Sequence, residues 1–380
     1  MDFDLSEEQS LLKDSLERLL KDRYSFEQRK AILASPEGYS AQAWQAFAEM
    51  GLLALPFAEA DGGLGGGSVE TALVMEALGA SLSLEPYLAT VVLGGGLLRL
   101  GGSDEQRAEL LPRIAAGELK LALAQTERHS RYDLHHVETT ATRSGPGWKI
   151  DGRKLGVLGG ASADIVLVTA RTAGGARDTS GIGIFIVDAK APGVTIRAHA
   201  NQDGQRAAEV TFEGVSAQAV IGDPANALPL LGRVVDVAIA ALCAEAVGVM
   251  SAMHQQTVEY LKVRKQFGVP IASFQVLQHK AVDMFVAIEQ ARSISLFATM
   301  MADSDDEDER SRAMHAAKAE IGRAGRIVGE NAIQLHGGVG MTMELAVGHY
   351  FKRMTTIDLT FGDAAHHLAA LAALGGLLAA

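Results

Sequence analysis

Cysteine is almost absent from this chain of 380 residues, which contains a single one, Cys243. One cysteine cannot build a disulfide framework and cannot supply a cysteine-ligated zinc site. Because Cys243 lies in an alanine-rich helical stretch, the sequence predicts a small, buried, apolar side chain at this position.

An excess of basic charge is also missing. The 34 lysines and arginines are outnumbered by 46 aspartates and glutamates, so the net charge is −12. Because nucleic-acid phosphates are bound by basic surfaces, nucleic acid is not an expected partner.

Features of membrane association are scarce. The chain begins with the acidic segment MDFDLSEEQS, which has neither the basic start nor the apolar core of a secretory signal. Asp236 and Glu245 interrupt the most apolar stretch, residues 235–253, so we expect no membrane span there. No lipidation motif is visible, and we expect a cytoplasmic protein without a membrane partner.

What the chain has is length and apolar content, 48% of its residues, enough for two or three domains. Residues 1–119 have the apolar spacing of helices. Ser6 with Gln9, and Ser103 with Gln106, form the pattern of capping boxes at helix starts. The sequence therefore predicts an N-terminal α-helical domain.

The pattern changes after residue 119. Residues 120–226 contain short alternating segments separated by turn clusters, which indicate a small antiparallel sheet or barrel. Residues 227–380 contain long apolar periodicities typical of a helical bundle, with Asp303–Arg310 as a solvated loop between helices. The predicted fold class is α+β, with a helical domain, a β domain and a helical bundle in that order.

A glycine-rich segment, residues 61–67, suggests a phosphate-binding loop at first sight. It does not follow a parallel strand, and no acidic residue lies at the dinucleotide spacing beyond it. A flexible connection between helices is the better interpretation.

Residues 264–275, RKQFGVPIASFQ, form a more informative motif at the predicted end of a long helix. Arg264 there could simply compensate the helix dipole. With Gln266 and Phe267, however, it also supplies a phosphate donor, an amide and a stacking ring within one turn.

A second motif, residues 334–340 (QLHGGVG), ends another predicted helix. Gly337 and Gly338 could be only a helix C-cap, but they would also let the backbone approach a pyrophosphate, with Gln334 and His336 as polar flanks. Two such motifs on one helical bundle suggest a site for a nucleotide diphosphate.

With these motifs the chain resembles the acyl-CoA dehydrogenase family over nearly its whole length. The resemblance includes Met50–Leu53 with Gly63–Gly65, the turn Gln125–Thr126–Glu127, and the two motifs above. It implies a three-domain fold with a C-terminal four-helix bundle, FAD, tetramers and α,β-desaturation of an acyl-CoA thioester. Within the family the chain is most similar to the small subunit of pimeloyl-CoA dehydrogenase, which implies a dicarboxylyl-CoA substrate and a large partner subunit.

The resemblance also implies roles for individual residues. Gln125 and Thr126 match the turn against the flavin ring, and Asp133 matches a structural acidic residue there. The residues that match those holding the ADP half of FAD, across a dimer interface, are Arg264, Gln266, Phe267, Phe274, Gln275, Gln334, His336, Gly337 and Gly338.

The catalytic base of the family is where the pattern breaks. A glutamate normally removes the α-proton while the β-hydrogen leaves as hydride to the flavin. Gly362 lies at the place of that glutamate, and Ala238 at the alternative one. Asp363 is the candidate base, with helix capping as its competing role. Glu245 could face the pocket as a base, although an interhelical salt bridge is commoner.

The flavin-ring contacts also depart from the family. Gly156 and Leu158 lie where the family has a tryptophan and a threonine, and residues 128–132 replace the usual residues after Thr126. One hypothesis is therefore a dehydrogenase that passes electrons to an electron-transfer flavoprotein. The alternative is a non-catalytic subunit that holds FAD for its partner in a mixed tetramer. An acyl-CoA oxidase or flavin monooxygenase is a weaker alternative. His366 and His367 lack further clustered ligands, so no metal is expected.

Overall fold

A computed structural model describes residues 5–377 of the chain. Helices make up most of the two ends of the sequence. They are α1 (Glu7–Arg23), α2 (Phe26–Ala34), α3 (Ala41–Glu49), α4 (Ser68–Ser81), α5 (Gly96–Gly101), α6 (Asp104–Ala115), α7 (Leu228–Val263), α8 (Gln275–Ala302), α9 (Glu307–His336), α10 (Ala346–Leu359) and α11 (Ala364–Ala373).

Strands occupy the middle of the sequence. They are β1 (Leu121–Ala124), β2 (Thr140–Ser144), β3 (Gly147–Leu158), β4 (Ile165–Arg171), β5 (Ile182–Asp188), β6 (Val194–Ala200), β7 (Arg206–Ala217) and β8 (Ala219–Ile221). A short hairpin, β9 (Lys265–Gln266) with β10 (Val269–Pro270), follows α7. The predicted order of a helical domain, a β domain and a helical bundle is confirmed.

The chain packs as two compact units. One contains the segments Met1–Ala31, Ser68–Ser83 and Ile239–Ala380, and the other contains Ile32–Gly67 and Leu84–Ala238. The N-terminal helices are therefore divided between the two units. Domain boundaries at residues 119/120 and 226/227 stay a prediction.

Both predicted capping boxes are present. The hydroxyl of Ser6 accepts from the backbone N–H of Gln9 at 3.1 Å, and the side chain of Gln9 accepts from the backbone N–H of Ser6 at 3.0 Å. Ser103 and Gln106 make the same reciprocal pair at the start of α6. These bonds satisfy backbone donors that a helix start leaves without partners, which is why the sequence signal is reliable here.

The sheet follows the order β6–β7–β3–β2–β4–β5–β8, with β1 beside β4. Most neighbours are antiparallel, as predicted, but β1 runs parallel to β4 over Leu121–Ala124 and Ile165–Val168. Parallel neighbours need a long connection, and the forty residues between these two strands provide one. Both strands are buried, so their continuous apolar runs show no alternation.

The glycine-rich segment connects helices, as expected, and it makes several backbone hydrogen bonds that the sequence did not predict. The N–H groups of Gly63, Gly65 and Gly66 donate to carbonyls of residues 58, 57 and 55 at 2.7–2.9 Å. A Cβ at Gly63 would lie 2.1 Å from the carbonyl oxygen of Phe57. Glycine is therefore required here by close backbone packing, a reason that spacing alone does not reveal.

Helix α7 is more apolar than the presence of Asp236 and Glu245 suggested. By length and hydropathy it could cross a membrane, but 83% of its most apolar window is buried inside the protein. That burial is typical of the core helix of a soluble protein. Cys243 lies on this helix and is completely buried, as predicted, and burial raises the pKa of its thiol to about 12.

Helices α4 and α7 pack at backbone distance. A Cβ at Gly248 would lie 1.9 Å from the carbonyl oxygen of Glu76, and a Cβ at Gly79 would lie 2.1 Å from that of Glu245. Small residues at a crossing allow this approach. The crossing buries the side chain of Glu245 inside the compact unit that contains α1, α4 and α8–α11, which we call the helical unit.

Glu245 makes the interhelical salt bridge that was the commoner of its two predicted roles. Its two carboxylate oxygens accept from Arg353 Nε at 2.6 Å and Nη2 at 2.7 Å, and both side chains are 7% exposed. This bidentate pair links α7 to α10.

The acidic segment after α8 is only partly a loop. Asp303 accepts from the N–H and hydroxyl of Ser68, and Asp306 caps α9, which begins at Glu307. Expecting a loop up to Arg310 was wrong, because carboxylates favour the first turn of a helix, where they interact with its dipole. Helix α10 was also missed.

We expect the Arg353→Met substitution to lower the free energy of unfolding by about 3–5 kcal/mol, because it leaves the Glu245 carboxylate buried without its partner. Chemical denaturation measures the change. Arg326→Met is the matched control, since Arg326 pairs with Glu330 at 2.7 Å on the exposed surface. The two substitutions should differ clearly, and equal effects would show that the buried pair has no special weight.

Candidate active site

The predicted arginine motif lies on a hairpin at the end of α7. Ile271 N–H donates to the carbonyl of Arg264 at 2.8 Å, which closes the turn, and β9 pairs with β10 inside it. Arg264 and Gln266 are exposed, and the ring of Phe267 is 92% exposed. Phe267 has a φ of 54°, an uncommon conformation for a bulky residue. The hairpin thus presents a cation, an amide and a ring to the outside.

Phe274 and Gln275 form the start of α8 beside this hairpin. Phe274 is the N-cap residue and makes no side-chain capping bond, so the first N–H groups of a 28-residue helix have no side-chain acceptor. Its ring packs edge-on against Phe267 with ring centres 6.1 Å apart. Helix starts of this kind attract anions through their N–H groups and dipole.

The second predicted motif ends α9. Gln334, Gly337 and Gly338 are exposed, whereas His336 is buried. Gly337 has φ 66° and ψ −147°, a conformation essentially restricted to glycine. A Cβ at Gly337 or Gly338 would meet nothing within 4 Å, so the backbone is open to an approaching ligand.

One ring contact brings the two motifs together. The ring of Tyr260, one turn before Arg264 on α7, stacks on His336 with centres 4.4 Å apart and planes at 25°. His336 Nδ1 bonds the carbonyl of Ala332 at 2.8 Å, and burial lowers its pKa. A neutral ring stacks without the cost of a buried charge, and His336 is therefore a support for the motif and does not face outward.

The turn with Gln125 and Thr126 lies in the other unit, at the end of β1. Gln125 is buried and Thr126 is half-buried, and the carbonyl of Thr126 accepts from Leu155 N–H at 2.8 Å. Asp133, expected to have a structural role nearby, is exposed.

A buried ion pair behind this turn was missed at the level of sequence. Lys154 Nζ donates to Glu127 Oε1 at 2.7 Å, to Thr169 Oγ1 at 2.9 Å and to the carbonyl of Gln125 at 3.3 Å. Lys154 is completely buried, which lowers its pKa to about 8 although Glu127 opposes the shift. The sequence contained one hint of this pair, a lysine within a predicted strand of the β domain. Lysine is almost never fully buried without a partner, so a buried Lys154 requires an acceptor such as Glu127.

Two residues of β3, Gly156 and Leu158, differ from the residues that contact the flavin in the family. Gly156 has a φ of 58° and is exposed, and a Cβ there would meet nothing within 4 Å. Leu158 is half-buried. The positions that match flavin contacts of the family therefore offer no hydrogen bond from a side chain.

The turn before α11 is bonded by a buried lysine and by a buried histidine ring. Lys318 Nζ donates to the carbonyls of Asp358 and Gly362, both at 2.7 Å, and burial lowers its pKa to about 8. His367 Nε2 bonds the carbonyl of Phe361 at 3.1 Å, and His367 Nδ1 bonds His315 Nδ1 at 2.8 Å. His367 therefore donates from Nε2 and accepts at Nδ1. Its pKa is lowered to about 2, chiefly by burial.

This turn leaves no room for a side chain at position 362. Gly362 has a φ of 120°, and a Cβ there would lie 2.6 Å from atoms of both His366 and His367. In the present backbone a glutamate could not replace it without rearrangement.

The candidate base Asp363 caps α11. Its Oδ1 accepts from the N–H of His366 at 2.8 Å, and the side chain is half-buried. Ala238, at the alternative base position, is completely buried. Both carboxylate oxygens of Glu245 are bonded by Arg353. Asp363, next to the position of the family's glutamate, therefore stays the candidate base. Within residues 5–377 no group of three His, Cys, Asp or Glu side chains is arranged to hold a metal ion.

Comparison with known proteins defines the class. Models of the N-terminal, middle and C-terminal domains of acyl-CoA dehydrogenases match residues 6–118, 122–215 and 234–374. A probable acyl-CoA dehydrogenase of Bacillus subtilis, YngJ, is 30% identical over 369 residues, covering 95% of this chain and 96% of the relative.

Two solved structures are also similar. The Tcur3481-Tcur3483 steroid ACAD is 30% identical with a TM-score of 0.88, covering 97% of each chain. An FAD complex of PigA is 25% identical with a TM-score of 0.90, covering 99% of this chain and 100% of the other. The chain belongs to the acyl-CoA dehydrogenase family. It is thereby an oxidoreductase of the class that uses FAD to oxidise CH–CH bonds of acyl-CoA thioesters.

Gly337→Ala should destabilise the protein by about 1–3 kcal/mol, because alanine does not adopt this backbone conformation without strain. Gly338→Ala is the matched control, since its φ lies outside the left-handed region and its surroundings are open. Thermal unfolding of the two variants measures the difference. Equal melting temperatures would show that the turn at Gly337 can relax.

Proposed function

We propose that this chain is an FAD-binding subunit of an acyl-CoA dehydrogenase that introduces an α,β double bond into an acyl-CoA thioester. The observation that carries the proposal is the convergence of two motifs at one end of the helical unit. Stacking of Tyr260 on His336 places the exposed Arg264 hairpin beside the open Gly337–Gly338 turn.

The residues present fit the ADP half of FAD. The exposed guanidinium of Arg264 and the uncapped start of α8 suit a pyrophosphate, and the exposed ring of Phe267 suits an adenine face. Gln266, Phe274, Gln275, Gln334 and Gly338 complete the surface, while His336 supports it from inside. Gln125 and Thr126 would lie against the flavin ring. FAD supplies the acceptor for the hydride that leaves the β-carbon.

Partner subunits have a surface to bind. Helix α8 exposes an apolar face to solvent in the single chain, as does the neighbouring hairpin, and patches of this kind mark protein interfaces. The exposed residues are Val263, Phe267, Val269, Val276, Val282, Phe285, Val286, Leu296 and Met300. This supports a dimer across α8, and a homo- or heterotetramer built from it. The name Tcur3481-Tcur3483 joins two proteins, which supports a mixed assembly.

The source of the catalytic base distinguishes two roles for this chain. With Asp363 as base, the chain would remove the α-proton itself. The alternative is a non-catalytic subunit that holds FAD while a partner supplies the base. Two features favour this alternative: position 362 has no room for a side chain, and Gly156 and Leu158 have no hydrogen-bonding side chain.

The finer identity of the reaction rests on the family resemblance. We propose an electron-transfer flavoprotein as electron acceptor and a cytoplasmic location. The substrate is an acyl-CoA, with a dicarboxylyl chain as the first class to test. A steroid acyl-CoA is the second class, because the similar solved structure carries that substrate class in its name.

An absorbance spectrum of the purified chain tests the proposal. We expect a yellow protein whose flavin bleaches when pimeloyl-CoA or a steroid acyl-CoA is added, either alone or after a large subunit is supplied. Bleaching of the chain alone would favour the catalytic role, and bleaching only with a partner would favour the shared site. A chain that never binds FAD, alone or with a partner, contradicts the proposal.

The Asp363→Asn substitution separates capping from catalysis, since asparagine caps helices as well as aspartate but cannot accept the proton. If Asp363 is the base, single-turnover flavin reduction should slow by at least about 100-fold at an unchanged melting temperature. Asp306→Asn, at the exposed N-cap of α9, is the control. Reduction at the native rate would remove Asp363 from the mechanism.

A further inference from the structure

Two ionisable side chains are buried behind the turn at the end of β1. Glu127 is 5% exposed, and Lys154, on β3, is completely buried. A buried ion pair contributes little net stability, because the cost of removing both charges from water offsets their attraction. Net stability alone therefore does not explain why the pair lies beside the apolar core of the β domain.

The pair bonds directly to the backbone of the turn at one point, the carbonyl of Gln125, and Glu127 is itself the residue that follows Thr126. Lys154 Nζ uses its three donors on the carboxylate of Glu127, the hydroxyl of Thr169 and the carbonyl of Gln125. The residue after Lys154 holds the next carbonyl, since Leu155 N–H donates to that of Thr126 at 2.8 Å. The two carbonyls of the turn are thus held by neighbouring residues of β3.

Glu127 anchors the turn from its other side. Its Oε2 accepts from Glu138 N–H at 2.7 Å, and its Oε1 accepts from Thr139 N–H at 3.0 Å. Its own backbone N–H donates to the hydroxyl of Ser130 at 2.9 Å. The carboxylate therefore connects the turn to the chain entering β2. Burial acts to raise the pKa of Glu127, but the charge of Lys154 and the bond from Thr139 lower it.

We propose that Lys154 and Glu127 are positioning residues that hold the turn Gln125–Thr126 in contact with the flavin ring. This inference rests on the proposed function, which places that turn against the ring. Charge-assisted bonds fix the direction of the Gln125 carbonyl and the position of residue 127 more firmly than apolar packing does, and Leu155, next to Lys154, holds the carbonyl of Thr126. Because β3 lacks side-chain flavin contacts at Gly156 and Leu158, the turn is the main polar feature left to this chain on that face.

The test compares the FAD-loaded native protein with the double variant Glu127→Gln/Lys154→Met, which removes both charges together and avoids leaving one buried alone. We expect the Kd for FAD to rise about tenfold and the visible flavin band to shift, with the melting temperature close to native. Lys149→Met is the matched control. Lys149 lies on the same strand and bonds Gly214 and Ser216 near the surface.

Each outcome decides the inference. An unchanged Kd and flavin spectrum in the double variant would overturn it and leave the proposed function intact, whereas a native protein without FAD overturns both. If the double variant does not fold, Thr169→Val decides, since it removes only one acceptor of Lys154. That variant should fold and shift the flavin band from its native position, and a native spectrum would overturn the inference. The Lys149→Met variant should match the native protein in every measurement.

Discussion

The stacking of Tyr260 on His336 is the contact on which the candidate cofactor surface depends. It joins the last turn of α7 to the last turn of α9, so that segments about seventy residues apart in the sequence share one end of the helical unit. A neutral imidazole suits this position, because burial disfavours its charged form. Neither ring needs to touch a ligand for the surface to exist.

Buried charge follows one rule in both units. Glu245 with Arg353, and Glu127 with Lys154, are completely or nearly buried and are joined at 2.6–2.7 Å. Lys318 donates to two backbone carbonyls, those of Asp358 and Gly362. These three buried cations bond, in turn, a second helix, the turn at the end of β1 and the turn that carries Gly362.

The two halves of the candidate site differ for a physical reason. The surface proposed for ADP consists of exposed polar residues, the start of α8 without a side-chain cap, and the turn at Gly337. The region of the family's base is instead closed, since rings of His366 and His367 fill the space above Gly362 and Asp363 caps α11. A chain that keeps the first feature and lacks the second is suited to an assembly in which subunits complete each other's sites.

The sequence by itself determined the order of helical and β regions, both capping boxes, the burial of Cys243 and the family, because these depend on local periodicity or on a contiguous motif. Only the tertiary structure decided what distant residues do to each other. It turned Glu245 into half of a salt bridge and paired Lys154 with Glu127. It also paired β1 with β4 in parallel and gave the loop at Gly63 its backbone hydrogen bonds. Such outcomes depend on which side chains meet across elements, and no spacing within one segment contains that information.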